Sequence, residues 1–197
     1  MGARARAMSF ASRDGRADER NHERLRAMCA KMRAFEGVAN VDAREALAMK
    51  RATRERASGA LVFVDTRTMD ERETSTIAGA MSAEEYERTR TSLGAHECVC
   101  FCTIGARSGA FAERMAKVAA NDLNSSSKET KYYNMVGSIL AWTHAGGDVV
   151  DARGEVTKKV HTFGKTWDLA PSSYETVYFK HPVAKGLGHI VRGWFGK

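Results

Sequence analysis

Three kinds of apolar pattern run along this chain, and each predicts a kind of element. From Asn21 onward Leu25, Met28, Met32 and Phe35 recur at spacings of three and four, which predicts a helix over 21–37 with one apolar face against a core and Gly37 as its stop. Residues 1–20 show no apolar period and read as a disordered basic tail. A short strand is expected over 38–41, followed by a helix with Asp42 as N-cap, Glu45 at the capping-box position, and Val41 and Ala46 placed to staple the entry. Two unbroken apolar runs, LVFV at 61–64 and CVCF at 98–101, have the character of strands buried on both faces. A further strand is expected over 132–135. A short helix is expected around 83–90, helical spacing marks Phe111, Met115 and Val118 behind Ser108 as N-cap, and a last helix carries Ile139 and Trp142 before a stop at Gly146 and Gly147.

Strand, tight turn and helix therefore alternate, which predicts an α/β fold with a central parallel sheet and helices on both faces. Such sheets carry their sites at the carboxyl ends of the strands. The remainder, 148–197, forms a C-terminal extension. A turn signal at 152–154 between two β-type runs predicts a hairpin, and the Gly-rich, aromatic end at 185–197 is expected to dock onto the domain. Ser125 to Ser127 is the one stretch that reads as a mobile loop. The organisation expected is thus a tail (1–20), an N-terminal helix (21–37), a domain (38–147) and the extension, within 197 residues that suit one core.

Composition changes this picture in two respects. The net charge of +7 suggests a polyanionic partner, but residues 1–60 hold 14 Lys and Arg against 8 Asp and Glu while 61–197 hold 17 against 16. The basic character is an N-terminal, solvated surface, so no nucleic-acid partner is expected. The absence of any run of 18 apolar residues argues against a membrane span. The first 13 residues hold three Arg, two Ser and no acid, so a transit segment is the alternative to a plain tail, and the location expected is cytoplasmic, or organellar if that segment is a transit peptide. Of the four cysteines, Cys98, Cys100 and Cys102 crowd into five positions with Cys29 apart. That spacing suits thiol chemistry in a reducing compartment and suits neither a disulfide framework nor a tetrahedral metal site.

The chemistry lies in CFCTIGARSG, residues 100–109. Cys102 ends a buried strand and a helix starts within a few residues, so the loop Cys102, Thr103, Ile104, Gly105, Ala106, Arg107 can wrap the sulfur with backbone N–H groups pointing inward. Gly105 frees the turn. A thiolate facing amide donors, a helix N-terminus and Arg107 has a lowered pKa, which makes an activated nucleophile that needs no histidine base. Cys98 and Cys100 read as buried apolar residues, and His144 and His161 as structural.

Three strings here resemble the rhodanese family: VFVDTRTMDERETSTIAGAM (62–81), VCFCTIGARSGAFAERM (99–115) and YNMVGSILAW (133–142), in that order. The resemblance covers about 38–147, with departures at Arg72, Thr76 and Ala78. It implies a rhodanese-like sheet and a sulfurtransferase without a cofactor. Cys102 would take a sulfane sulfur from a small anionic donor such as thiosulfate, hold it as a persulfide, and pass it to cyanide, a thiol or an acceptor protein. Arg107 would hold the donor, with Thr103, Ile104, Gly105, Ala106 and Ser108 as the cradle. Asp65, Arg67 and Glu71 would support it structurally, Arg67 pairing with Glu71. A protein-interaction module on the same fold stays open, as does a cysteine phosphatase or arsenate reductase. The latter needs Arg at the sixth position after the cysteine, where Ser108 stands.

Overall fold

The computed structural model describes residues 2–55, 61–122 and 129–179. The expectations for 125–127 and 185–197 lie outside those residues. Five strands form the central sheet: β1 (Ala39–Val41), β2 (Leu61–Asp65), β3 (Met81–Ser82), β4 (Glu97–Phe101) and β5 (Lys131–Met135). Their order is β1-β5-β4-β2-β3 and every pairing is parallel. In the middle of the sheet Val62 and Val64 lie in register with Cys98 and Cys100. The apolar runs LVFV and CVCF thus form two adjacent strands among the three inner ones, where both faces must exclude water.

Six helices are described: α1 (Gly2–Cys29), α2 (Ala43–Glu55), α3 (Met69–Thr74), α4 (Ala83–Thr89), α5 (Ala106–Ala120) and α6 (Ser138–His144). Five of them, all but α3, divide between two layers. Leu25 of α1, Ala46 of α2 and Ile139, Leu140 and Trp142 of α6 share one core with Phe63, Val99 and Phe101. Tyr86 of α4 and Phe111, Ala112 and Met115 of α5 share the other with Val64, Cys98 and Cys100. The α2 entry is capped as its sequence suggests, the Glu45 N–H donating to Asp42 Oδ1 at 2.8 Å, and Val41 and Ala46 are both buried beside it.

The N-terminal segment departs from expectation. Residues 2–20 belong to α1, which ends at Cys29 instead of running to Gly37. Two physical reasons account for this. The segment is rich in Ala and Arg, strong helix formers with no Pro among them. Asp18 and Asn21 are also tied to the C-terminal extension, Ser172 N–H donating to Asp18 Oδ1 at 2.6 Å and Asn21 Nδ2 to Ala170 O at 3.1 Å. Beyond Cys29, Met32 and Phe35 still face the domain, but from irregular chain.

The extension carries the expected hairpin, β6 (Val149–Val150) antiparallel to β7 (Val156–Thr157). Thr76 and Val150 bridge it to the loop behind α3, each N–H meeting the other's carbonyl at 2.8 Å. Two further strands, β8 (Lys159–His161) and β9 (Glu175–Val177), pair in parallel, and β8 packs against α3 with His161 next to Glu71. No helix among the described residues is long and apolar enough to cross a membrane.

Candidate active site

Cys102 is the first residue past β4, at the carboxyl end of the central strand, and four residues later α5 begins. Gly105 occupies the N-cap position with φ of +117°, a backbone that a side chain at this point would strain, and Ser108 lies in the first turn of the helix, not at its cap. The fold turns this loop around the sulfur. Gly105 N–H donates to Cys102 Sγ at 3.2 Å and the Ser108 hydroxyl lies 3.6 Å from it. The Ser108 hydroxyl is also 2.8 Å from Asn134 Oδ1, so its single proton can serve either acceptor. Ser138 completes the setting. Its hydroxyl accepts from the Cys102 N–H at 3.0 Å, donates to Met135 O at 2.9 Å, and stands 4.0 Å from the sulfur. Ser138 has φ of +46°, uncommon for a residue with a side chain, and this is what aims the hydroxyl back at Cys102.

Electrostatics at the sulfur are a contest of two effects. Burial of Cys102 pushes its thiol up, but the Arg107 charge, the Ser108 N–H and hydroxyl and the Gly105 N–H outweigh it and hold the thiol below the ordinary cysteine value. Its neighbour is pushed the other way. Cys100, fully buried on the α4/α5 face with its sulfur 3.7 Å from Cys98 Sγ, is raised well above the ordinary value by burial and by the surrounding thiols. The three clustered cysteines are therefore one acidic thiol at the strand end and two core side chains.

Arg107 is placed beside the loop, and its partner differs from expectation. Both of its Nη groups donate to Glu71, each at 2.7 Å, and Nη2 also reaches Thr103 Oγ1 at 3.0 Å. Arg67 does not pair with Glu71. It closes a two-pronged bond on Asp65, Nε to Oδ1 at 2.9 Å and Nη2 to Oδ2 at 2.7 Å, while its Nη2 also meets Ser75 O at 2.6 Å. The reason is local. Asp65 and Arg67 are two residues apart at the end of β2, whereas the Glu71 carboxylate is turned by the capping box of α3 onto Thr68 and toward the Cys102 loop. Burial would raise the Glu71 carboxyl, but Arg107, with help from Arg67 and the Thr68 N–H, brings it down to about 2.

The C-terminal extension covers this ion pair. The Arg107 guanidinium sits 5.0 Å from the centre of the Phe163 ring, and Phe163 has φ of +66°. His161 Nδ1 is 3.9 Å from Glu71 Oε1 and accepts the Phe163 N–H at 3.0 Å, which makes the ring neutral with its proton on Nε2. Burial lowers the His161 pKa to about 4, against the opposing pull of Glu71 and with the aid of Arg67 and Arg107. On the other side the chain after α1 covers the loop: Met32 lies against Gly105, Phe35 fills the space that a side chain at Gly109 would need, and Arg33 pairs with Glu113 at 2.6 Å. Thr103, Ile104, Ala106, Ser108 and Cys102 itself are all buried.

The structure thus brings together Cys102, Thr103, Gly105, Arg107, Ser108 and Glu71, with Ile104 and Ala106 as buried members of the turn. Asp65 and Arg67 form a separate pair beside them. Sequence reading had no role for Ser138, Asn134, Phe163 or Cys29. The string Val136-Gly137-Ser138 after β5 was a usable signal for Ser138, since residues there lie at the end of the neighbouring strand.

No protein-family model matches the sequence, and no curated protein matches it significantly. Solved structures do. A rhodanese-related protein from Thermoplasma volcanium is similar at 18% identity over 57% of this chain and 97% of its own, with a TM-score of 0.42. Thiosulfate sulfurtransferase from Pseudomonas aeruginosa is similar at 20% identity over 60% of this chain and 21% of its own, TM-score 0.43. A protein from Rhodopseudomonas palustris described as a possible tyrosine phosphatase is similar at 20% identity over 64% and 92%, TM-score 0.44. The chain's own structure is an α/β fold, a five-stranded parallel sheet with helices on both faces and the cysteine loop between β4 and α5.

Proposed function

We propose that the protein is a sulfurtransferase in which Cys102 carries a sulfane sulfur between a small anionic donor and a thiol or cyanide acceptor. The observation that carries this reading is the setting of the Cys102 sulfur: an acidic thiol held by Gly105 N–H and the Ser108 hydroxyl at the start of α5, with no histidine hydrogen-bonded to it among the described residues. Sulfur transfer needs a thiolate that attacks sulfur and then leaves as a stable anion, and a low thiol pKa serves the second need directly. Cys102 thiolate attacks the outer sulfur of a donor such as thiosulfate, the S–S bond of the donor breaks, and sulfite leaves with the electron pair. The persulfide anion then rests against the Gly105 N–H, and an acceptor thiolate or cyanide takes the outer sulfur and restores the Cys102 thiolate.

In this reading Arg107 acts through its charge. Its Nη groups are committed to Glu71 and Thr103, so it stabilises the sulfur anion from beside the loop, and only its buried Nε lacks a hydrogen-bond partner among the described residues. The six-residue cradle that a phosphate requires is disfavoured by the residue at its sixth position, because Ser108 is buried and turned onto Asn134 Oδ1. Incubation with thiosulfate followed by mass spectrometry tests the proposal. A gain of one sulfur on the Cys102 peptide is expected, and an unmodified peptide together with hydrolysis of an aryl phosphate would replace it with the phosphatase reading.

A further inference from the structure

The peptide group between Ile104 and Gly105 is bonded at both ends. Its N–H donates to Cys102 Sγ at 3.2 Å, and its carbonyl accepts from Gly137 N–H at 2.9 Å and from the Cys29 thiol at 3.4 Å. In a trans peptide the N–H and the C=O point in opposite directions, so a group that holds the carbonyl also aims the amide. Cys29, the last residue of α1, therefore addresses Cys102 from behind the loop, across one peptide plane.

That plane needs holding. Gly105 has φ of +117° and no side chain, so the sterics that normally restrict a peptide's rotation are relaxed at this residue. Both donors, Cys29 and Gly137, line a cavity of about 940 Å³ between α1, α2 and α6, so on this side the carbonyl is fixed by its hydrogen bonds where close packing is missing. A thiol is a weak donor, but it acts on an already bonded carbonyl, and polarising one end of a peptide strengthens the donor at the other. Burial pushes the Cys29 thiol up to about 12, against the pull of the Gly137 N–H, so at neutral pH it is a neutral donor and places no second negative charge near Cys102. The same geometry argues against sulfur passing from Cys102 to Cys29, since the peptide plane stands between the two sulfurs.

We propose that Cys29 is a positioning residue for Cys102: its thiol, with the Gly137 N–H, holds the Ile104 carbonyl so that the Gly105 N–H faces the sulfur. The inference rests on the reading of Cys102 as the nucleophile. It assigns a part in the site to the helix outside the rhodanese-like domain, which would otherwise be only packing.

The test is the pH profile of Cys102 alkylation by iodoacetamide, followed on the Cys102 peptide by mass spectrometry in the full chain. Removing the donor in Cys29→Ala should raise the midpoint by about half a pH unit, which lowers the alkylation rate below the midpoint by about threefold. Cys29→Ser, which keeps a donor, should stay near the wild-type midpoint. A Cys29→Ala midpoint equal to wild type overturns the proposal, as does an equal shift in both variants. Should Cys29→Ala not fold, hydrogen exchange of the Gly105 amide in a Cys29→Thr variant decides, because threonine restores a hydroxyl donor: protection like wild type supports the proposal, and exchange at least tenfold faster overturns it. Loss of persulfide formation in the wild type, with the midpoint shift intact, would remove the sulfurtransferase reading and leave this one standing.

Discussion

Arg107 and Glu71 meet through two parallel hydrogen bonds of 2.7 Å each, and the pair is sealed beneath Phe163 beside the Cys102 loop. A planar guanidinium fixed at both prongs is a stationary charge, and a stationary charge stabilises a sulfur anion without having to reorganise. The same pair makes stability depend on pH. Glu71 has its carboxyl lowered from 4.5 to about 2, so its contribution is fully present above 4.5 and is lost as pH falls toward 2. His161 acts in an earlier window. Its pKa is lowered from 6.5 to about 4, so the unfolded chain binds a proton that the folded chain does not, and stability falls as pH drops from 6.5 to 4. Denaturant melts from pH 7 to 4 should show this fall, and His161→Asn should flatten it. An unchanged slope in that variant would assign the acid sensitivity elsewhere. Glu71→Gln, which leaves Arg107 buried and unpaired, should cost about 3 to 5 kcal/mol.

Cys102→Ser should abolish persulfide formation from thiosulfate, whereas Cys100→Ser should retain most of it, because the Cys100 sulfur belongs to the core on the α4/α5 face. Sulfur gain measured on the intact proteins checks both. Equal loss in the two variants would show that the cysteines act as a unit.

Gly105→Ala should be damaging twice over. The positive φ strains any side chain by about 1 to 2 kcal/mol, and the added methyl would lie 3.2 Å from Met32 Cε and 3.3 Å from Met135 O. Thermal melting should report the strain, and the alkylation rate of Cys102 at neutral pH should fall as its amide partner shifts. A variant with wild-type melting and wild-type alkylation would show that the loop tolerates another course.

The chain after α1 is fastened over the loop largely by one surface carboxylate. Glu113 pairs with Arg33 at 2.6 Å and accepts the Glu36 N–H at 2.9 Å, and Glu36 in turn meets Lys117 at 3.1 Å. Since Cys102 has no exposed surface, a reagent reaches it only through a local opening, and this cover lies against the loop at Gly105. Exposed pairs contribute about 0.2 to 1 kcal/mol each, so Glu113→Ala should raise the alkylation rate of Cys102 by about two- to fivefold, and added salt should raise it in the wild type but not in the variant. Rates unaffected by either change would place the opening elsewhere.

Much of the fold is written in local pattern. LVFV and CVCF are unbroken apolar runs because they are adjacent inner strands, and the alternation of strand, turn and helix leaves a parallel sheet as its natural outcome. The α1 boundary was not legible in the same way. Apolar period measures which face is buried, and the sequence of residues 2–20 has no such period, so their helix follows intrinsic propensity, and Asp18 and Asn21 meet Ser172 and Ala170, some 150 residues away.

The site divides along the same line. By itself the sequence determined the loop from Cys102 to Ser108, since strand end, glycine and helix start lie within seven consecutive residues and their geometry is local. Tertiary structure decided who faces that loop. Glu71 takes Arg107, Asp65 takes Arg67, Asn134 and Ser138 arrive from β5 and α6, and Cys29 and Phe163 come from the two extensions. Each of these contacts joins residues that are distant in sequence or, for Asp65 and Arg67, replaces the pairing of Arg67 with Glu71 that the resemblance implied. A hydrogen bond between distant residues leaves no period in a sequence, and only the packed sheet brings its two ends together.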